Sequence, residues 1–360
     1  MEKKIWRIGS VGIGGISRGV HLPGIAQSPD LKLTAVCDIK PERMEYAREK
    51  YGVDGAHCFT DYHDLINCPD VDAVDISTSN NAHFQIAKAA IEAGKPYSIE
   101  KPVTMTAQEA DILARMTEEK GLPNMVCFSY RFKAAARYMK HILEKGYIGQ
   151  IYHVYMQYLQ AGGGPEWDLP RSWRYIKELT GTGALGDLGC HALDLVSFVT
   201  GKDYVKAVGH ADTFTKMRRL EEGEGFGPVD VDDFCNYLME MEEGIAADFE
   251  ITRFAYGRGN YQRLEIYGSK GAVVYTLDAK APGVDELEVC IGPVTGFAGV
   301  FTTLPIPERF RVDQMQSFAD ILNGASDGMA ATIKEGCHIQ HALESIIRSA
   351  EEQKWLPVSR

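Results

Sequence analysis

Near the middle of the chain Asp187, His191 and Asp194 fall at i, i+4 and i+7, a spacing that puts all three on one face of a helix. Imidazole titrates near neutral pH, so a carboxylate and a histidine one turn apart could grip two neighbouring hydroxyls and take a proton from one of them. A capped helix carrying a buried, hydrogen-bonded histidine would use the same spacing. A metal site is the third alternative, but two or three donors on one helix without a nearby H-x-H or cysteine pair make a weak case, and no metal is expected. A second reactive candidate is Lys101, framed by Glu100 and Pro102 just after the apolar run Tyr97–Ile99. Pro102 restricts Lys101 to an extended backbone. A lysine beside a nicotinamide could orient a hydroxyl and relay its proton; standing alone, the motif would read as a surface lysine after a strand.

A cofactor to work with such residues is suggested at the amino-terminal end. Gly12, Gly14 and Gly15, followed by Ile16, lie where a first strand gives way to a helix, the context that gives a G-x-G-x-x-G match its meaning. Gly12 would permit the tight turn and Gly14 the close approach of backbone to a pyrophosphate at a helix amino terminus, while Ser17 replaces the third glycine. A glycine-rich turn without a ligand is the plainer alternative. Asp38 argues against it, because it ends the second strand 21 residues beyond Ser17, close to the spacing at which a carboxylate takes the adenosine ribose hydroxyls. The same charge would repel a 2'-phosphate. NAD is therefore expected ahead of NADP, with Ile39 beside the site and Arg43 leaving NADP as the lesser option.

These residues need a scaffold, and the sequence supplies two kinds. From Ile5 to about Phe128, apolar runs (Ile5–Val11, Leu31–Cys37, Val71–Ile76, Tyr97–Ile99, Met125–Phe128) alternate with helical stretches at Pro41–Tyr51, His83–Ala93 and Thr106–Lys120. Gly52, Gly94 and Gly121 stand past the helix ends as caps. That is the grammar of a doubly wound parallel sheet, a Rossmann domain over 1–129. Beyond it come a helix at Ala134–Lys145, a turn at Gly149, a strand at Ile151–Leu159, a Gly/Pro-rich loop at Ala161–Pro170 and a helix at Asp187–Val199. Strands then follow one another: Lys206–Ala211, Phe234–Met241, Ile245–Thr252, Arg263–Tyr267 and Ala272–Thr276, with Glu221–Pro228 read as a surface loop. Helices at Asp313–Leu322 and Ile333–Gln353 close the chain. Consecutive strands imply a mostly antiparallel sheet, so 130–360 is expected to be an α+β substrate and assembly domain, with room for the terminal helices to pack on the first domain. The helices can cover one face of that sheet, and the other is expected to form a homodimer or homotetramer.

Composition narrows the class. Thirty-eight basic against 50 acidic side chains give a formal charge of -12, which argues against a nucleic-acid partner or an anionic membrane surface. No run approaches the about 18–20 apolar residues of a membrane helix, and the first residues lack a signal peptide's apolar core, so a cytoplasmic protein is expected. The eight cysteines include no C-x-x-C pair and read as reduced thiols.

Taken together, the motifs resemble those of the glucose-fructose oxidoreductase/inositol dehydrogenase/rhizopine catabolism (Gfo/Idh/MocA) family. The resemblance runs nearly the whole chain: Gly12, Gly14, Gly15 and Ile16 with His21 and Pro23; Ser77 and Thr78 with Asn80 and His83; Glu100, Lys101 and Pro102; Tyr130, Arg131 and Phe132; Trp173 and Arg174; and Gly186, Asp187, His191 and Asp194. It implies an NAD(P)-dependent dehydrogenase acting on a secondary hydroxyl of a sugar, glycoside or cyclitol. Lys101, Asp187 and His191 match the family's catalytic set, with His191 as base, Lys101 orienting the hydroxyl and Asp187 anchoring a hydroxyl or tuning His191. It also implies that Ser77, Thr78, Ser79, Asn80, His83 and Glu100 line the cofactor, although Ser79 stands where many relatives carry proline. Arg171, Trp173 and Arg174 look like the family's substrate loop, with Arg131 and Tyr158 as further substrate candidates. Some family members hydrolyse glycosides through transient oxidation with NAD retained, and that alternative stays open, as does a non-catalytic nucleotide-binding protein.

Overall fold

The computed structural model describes residues 4–292 and 299–359. The chain divides into two compact units, one of Met1–Phe128 with Val312–Cys337 and the other of Ser129–Arg311 with His338–Arg360.

The first unit is a six-stranded parallel sheet of β1 (Trp6–Val11), β2 (Leu31–Cys37), β3 (Cys58–Phe59), β4 (Ala73–Ile76), β5 (Tyr97–Ile99) and β6 (Asn124–Val126). The strand order β3-β2-β1-β4-β5-β6 is the Rossmann order. Both faces of such a sheet are covered, and β4 and β5 are buried at every residue, which is why they read as continuous apolar runs. Five helices connect the strands: α1 (Leu22–Gln27), α2 (Pro41–Tyr51), α3 (Tyr62–Asn67), α4 (Asn80–Glu92) and α5 (Ala107–Lys120). Gly52 and Gly121 cap α2 and α5 in the left-handed conformation, as their positions predict. Helix α5 is capped at its other end by Thr106, whose Oγ1 accepts from the Glu109 amide at 3.2 Å. The 312–337 segment belongs to this unit. Its helix Gln314–Leu322 seats Met315 against Gly24, and the Val126 amide donates to the Ala331 carbonyl at 2.8 Å.

The second unit holds α6 (Ala134–Glu144), β7 (Ile151–Leu159), the short α7 (Lys177–Thr180) and α8 (Cys190–Thr200). Strands β8 (Tyr204–Asp212), β9 (Met217–Arg219), β10 (Phe226–Pro228), β11 (Phe234–Met241), β12 (Ala246–Thr252), β13 (Tyr261–Gly268), β14 (Gly271–Leu277), β15 (Asp285–Ile291), β16 (Thr302–Thr303) and β17 (Leu356–Pro357) follow. Nine strands form one sheet in the order β16-β15-β14-β13-β7-β12-β11-β8-β17, antiparallel throughout except for the β7–β12 pair. Alternation decides its faces: Val154, Met156 and Tyr158 of β7 are buried beneath helices, whereas His153 and Tyr155 point the other way and are exposed.

Two expectations need correction. The supposed loop Glu221–Pro228 contains β10, which pairs antiparallel with β9 through Phe226 and Arg219; its Gly and Glu residues serve the connection between the two strands. The helix expected from Asp187 begins as a π-helical turn, Leu185–Gly189, and becomes α-helical only at Cys190. Strand β15 goes unread in the sequence because acidic residues occupy its alternate positions.

Candidate active site

In the first unit the turn after β1 is built on Gly12, at φ +92°, where an added Cβ would lie 2.6 Å from the Ser77 carbonyl oxygen. A side chain cannot enter that space. The Gly12 amide donates to the Cys37 carbonyl, and Ser77 Oγ donates to the Gly12 carbonyl, each at 2.8 Å. The carboxyl ends of β1, β2 and β4 are thereby tied together. A Cβ at Gly14 or Gly15 would meet no described atom within 4 Å, so the backbone there is open to close approach by a phosphate. Ile16 lies partly exposed just before a π-helical turn, Ser17–His21, with Ser17 buried beneath it.

Asp38 is buried and accepts from the Ile13 amide at 2.8 Å and the Lys40 amide at 2.9 Å. It thus also performs the ordinary task of shaping the turn before Pro41. Each oxygen retains a second lone pair for a ribose hydroxyl, so the donor and acceptor chemistry fits NAD. Arg43 Nη1 sits 3.7 Å from the same carboxylate, and Ile39 beside it is 85% exposed.

Thr78 and Ser79 lead into α4, where the Ser79 hydroxyl donates to Asn81 Oδ1 at 2.8 Å and Asn80 is buried. His83 spans two loops, with Nδ1 2.9 Å from the Pro102 carbonyl and Nε2 3.3 Å from that of Thr78. Burial lowers its pKa and keeps the ring neutral. A neutral ring donates once, and the shorter contact assigns that proton to Nδ1. The Lys101 amide donates to Glu100 Oε2 at 3.1 Å, and the Lys101–Pro102 bond is cis.

In the second unit Asp187 occupies the π-helical turn. Asp232 builds that turn: its carboxylate accepts from the Gly183 amide at 2.6 Å and the Leu185 amide at 2.7 Å, and its carbonyl accepts from the Ala184 amide at 2.9 Å. A Cβ at Gly183 would stand 1.8 Å from that carbonyl, so only glycine fits. Asp187 Oδ2 receives Arg253 Nη2 at 3.0 Å and lies 3.8 Å from Arg174 Nε. The expected single face is therefore divided by partner, because Asp194 is buried and takes Arg131 through Nε at 2.9 Å and Nη2 at 2.6 Å. Arg131, read from sequence as a substrate contact, is buried in this two-pronged pair, a geometry suited to anchoring α8.

His191 is buried, with its ring edge-on to Tyr130 at 4.7 Å between centroids and 6.5 Å from Tyr158. The two tyrosine hydroxyls lie 2.5 Å apart, and each reaches Asn260 Oδ1, at 3.0 Å and 2.6 Å. Gln160 Nε2 donates to the same Asn260 oxygen at 3.0 Å. This gives the imidazole a wall of hydroxyl and amide groups, the chemistry that recognises a polyol. Trp173 and Arg174 share one short turn, with the guanidinium 4.5 Å over the indole, while Arg171 Nε donates to the Pro228 carbonyl at 2.5 Å. Arg174 is thus grouped with Asp187, and Arg171 is tied to the β9–β10 hairpin. Sequence reasoning did not select Gln160, Asp232, Arg253 or Asn260, whose partners lie up to 130 residues away; the paired acids Asp232 and Asp233 before a strand were the one local signal.

Among known proteins, the model described as "Oxidoreductase family, NAD-binding Rossmann fold" matches residues 6–128, and the GFO/IDH/MocA C-terminal domain matches residues 136–274. A levoglucosan dehydrogenase of Pseudarthrobacter phenanthrenivorans is 31% identical over 90% of this chain and 88% of its own. A myo-inositol 2-dehydrogenase of Thermotoga maritima is 26% identical over 89% of each chain. A levoglucosan dehydrogenase solved with NADH and levoglucosan superimposes with a TM-score of 0.87 at 28% identity, covering 99% of this chain and 100% of the other. Among the described residues no helix is long and apolar enough to cross a membrane.

Proposed function

Because the chain belongs to the Gfo/Idh/MocA family of oxidoreductases, we propose that it oxidises a secondary hydroxyl of a sugar, glycoside or cyclitol with NAD as the acceptor. The observation that carries this reading is the surroundings of His191, an imidazole beside the hydroxyls of Tyr130 and Tyr158 and the amides of Gln160 and Asn260. Likeness along most of the chain to a levoglucosan dehydrogenase supports it.

His191 takes the proton of the reacting hydroxyl. Lys101 orients that hydroxyl and assists the proton's departure, and Asp187, held by Arg253, anchors a neighbouring hydroxyl. Tyr158 and Arg174 contact the sugar ring, with Trp173 offering an aromatic face. Gly12, Gly14, Gly15 and Ile16 hold the pyrophosphate of the cofactor, Asp38, Ile39 and Arg43 its adenosine end, and Ser77, Thr78, Ser79, Asn80, His83 and Glu100 its nicotinamide side. NAD, when bound, supplies a hydride acceptor at C4 of the nicotinamide. Asp38 disfavours a 2'-phosphate by charge. We assign 1–129 to cofactor binding and 130–360 to substrate binding and assembly, with 312–337 packed in the first unit.

The open face of the nine-stranded sheet presents Tyr155, Tyr267, Arg263 and Glu265 in one mutually paired group, a rigid mixed surface suited to a second copy of the chain. We propose a homodimer or homotetramer on this face, to be checked by light scattering, and a cytoplasmic location where free NAD is available. The activity is tested with a panel of inositols, aldoses and glycosides assayed for NADH formation at mildly alkaline pH. NADH from at least one polyol is expected. No NADH from any of them, with NAD binding shown by titration, overturns the reading.

A further inference from the structure

His21 ends the π-helical turn after the glycine loop and has no exposed surface. Its Nδ1 lies 2.8 Å from Asp75 Oδ1, and its Nε2 lies 3.0 Å from Glu100 Oε1. Asp75, in the middle of β4, also receives the Ser10 hydroxyl from β1 at 2.9 Å and the Ser98 hydroxyl from β5 at 2.8 Å. Ionised carboxylates only accept, so a ring facing two of them must donate from both nitrogens and carry a positive charge. Burial alone would lower the basicity of the ring, but Asp75 and Glu100 outweigh it and raise His21 to about 10. Burial would likewise raise the Asp75 pKa, yet His21 holds it below the usual carboxylate range.

The other titratable groups around this network keep their charge states. The Cys127 thiol, whose sulfur lies within 4.8 Å of the facing His21 and Glu100 atoms, is pushed well up by burial, and His83, which feels both Glu100 and Lys101, is kept neutral by burial. A buried charge set of this kind is a poor source of stability compared with apolar packing, and what its geometry does supply is fixed placement of its members. One Glu100 oxygen is on His21, and the other accepts the Lys101 amide at 3.1 Å.

We infer that His21 is a positioning residue for Lys101: by fixing the Glu100 carboxylate between the imidazole and the Lys101 amide, it sets the turn from which the lysine side chain leaves β5. The inference rests on the dehydrogenase reading for its effect on turnover, but not for the geometry. In His21→Gln the ring's two donors and its charge are lost, the Glu100 carboxylate can reorient, and Lys101 moves with the turn.

The test compares wild type with His21→Gln and, should that variant fold poorly, with Asp75→Asn, which keeps the side-chain volume and removes one charge. Turnover with the best polyol is expected to fall by about 10²-fold in His21→Gln, the usual consequence of displacing a reacting group by about 1 Å. Asp75→Asn should follow the same pattern with a smaller fall. NAD affinity is expected to change far less than turnover, since the glycine loop and Asp38, which hold the pyrophosphate and the adenosine end, are untouched. Hydrogen exchange should quicken at the peptide carrying Glu100 and Lys101 while that of α5 stays unchanged. Near-native turnover in the folded variant, an equal loss of NAD affinity, or unchanged exchange at the Lys101 turn would each overturn the inference. If wild type itself forms no NADH from any polyol, the dehydrogenase reading falls, and exchange alone decides the positioning claim.

Discussion

In the first unit Lys101 follows a carboxylate braced by a fully buried imidazolium whose two carboxylate partners come from β4 and the turn after β5 of one parallel sheet. In the second, Asp187 and His191 ride on a π-helical turn and the helix after it, with guanidinium groups and tyrosines from separate segments of the chain as partners. The contrast follows the sheets. A parallel sheet covered on both faces can close a charge network away from water, whereas a sheet with one helix-covered face leaves its reactive end lined by half-exposed groups such as Arg174. One arrangement fixes a single side chain; the other offers hydroxyls, amides and charge to a ligand of variable shape.

The sharpest way to break this comparison is to remove the reactive groups. His191→Ala is expected to lower turnover by roughly 10²- to 10⁴-fold while sparing NAD binding, the usual worth of a positioned acid or base. Lys101→Ala should also depress turnover, and the double variant should lose less than the product of the two, because both act on one proton transfer. Steady-state rates alongside fluorescence titration of NAD check both. A milder intervention is Arg253→Ala, which strips Asp187 of its 3.0 Å partner. A hydrogen bond to a charged group is worth about 2 kcal/mol, so kcat/KM for the polyol should fall by roughly 30-fold; an unchanged kcat/KM would remove Arg253 from the account of the site.

Cofactor choice gives a smaller effect. NAD should be preferred to NADP by at least tenfold, about 1.4 kcal/mol, and Asp38→Ser should narrow the gap. Because Asp38 also shapes the turn through the Ile13 and Lys40 amides, the variant should weaken NAD binding as well. A separate effect, read without turnover, is on stability against pH. The folded-state pKa of His21, about 10, lies above the ordinary 6.5, so its stabilisation is complete below about pH 6.5 and is lost as pH rises through about 10. Asp72, held near 2 by its bonds to Arg7, acts at the other end, contributing above the ordinary 3.8 and losing its effect as pH falls through about 2. Thermal melts should therefore show a decline toward pH 10 that is reduced in His21→Gln.

Much of the first unit was legible because its chemistry is written contiguously. Gly12 and Gly14 occupy the turn after β1 and Asp38 the position just past the end of β2, and the doubly wound fold was implied by alternating element types. The π-helical turns were not legible, since Gly183 and Asp232, which shape the second of them, meet only through the fold. Arg253 and Asn260 gave no local sign for the same reason: the strand register, not the spacing along the chain, selects their partners. Strand β15 was written in period two, Leu287 and Val289 alternating with Glu286 and Glu288, but its acids make it look like a solvated segment. Strand β3, with two residues, carries no period at all.

The central claim, an NAD-dependent dehydrogenase for a polyhydroxylated substrate, is tested most directly by following NADH and product together with purified protein, NAD and the polyol and glycoside panel. Stoichiometric NADH and oxidised sugar, abolished in His191→Ala with NAD binding intact, is the result expected here. Glycoside cleavage without net NADH, or tight NAD binding with no turnover of any polyol, would contradict it.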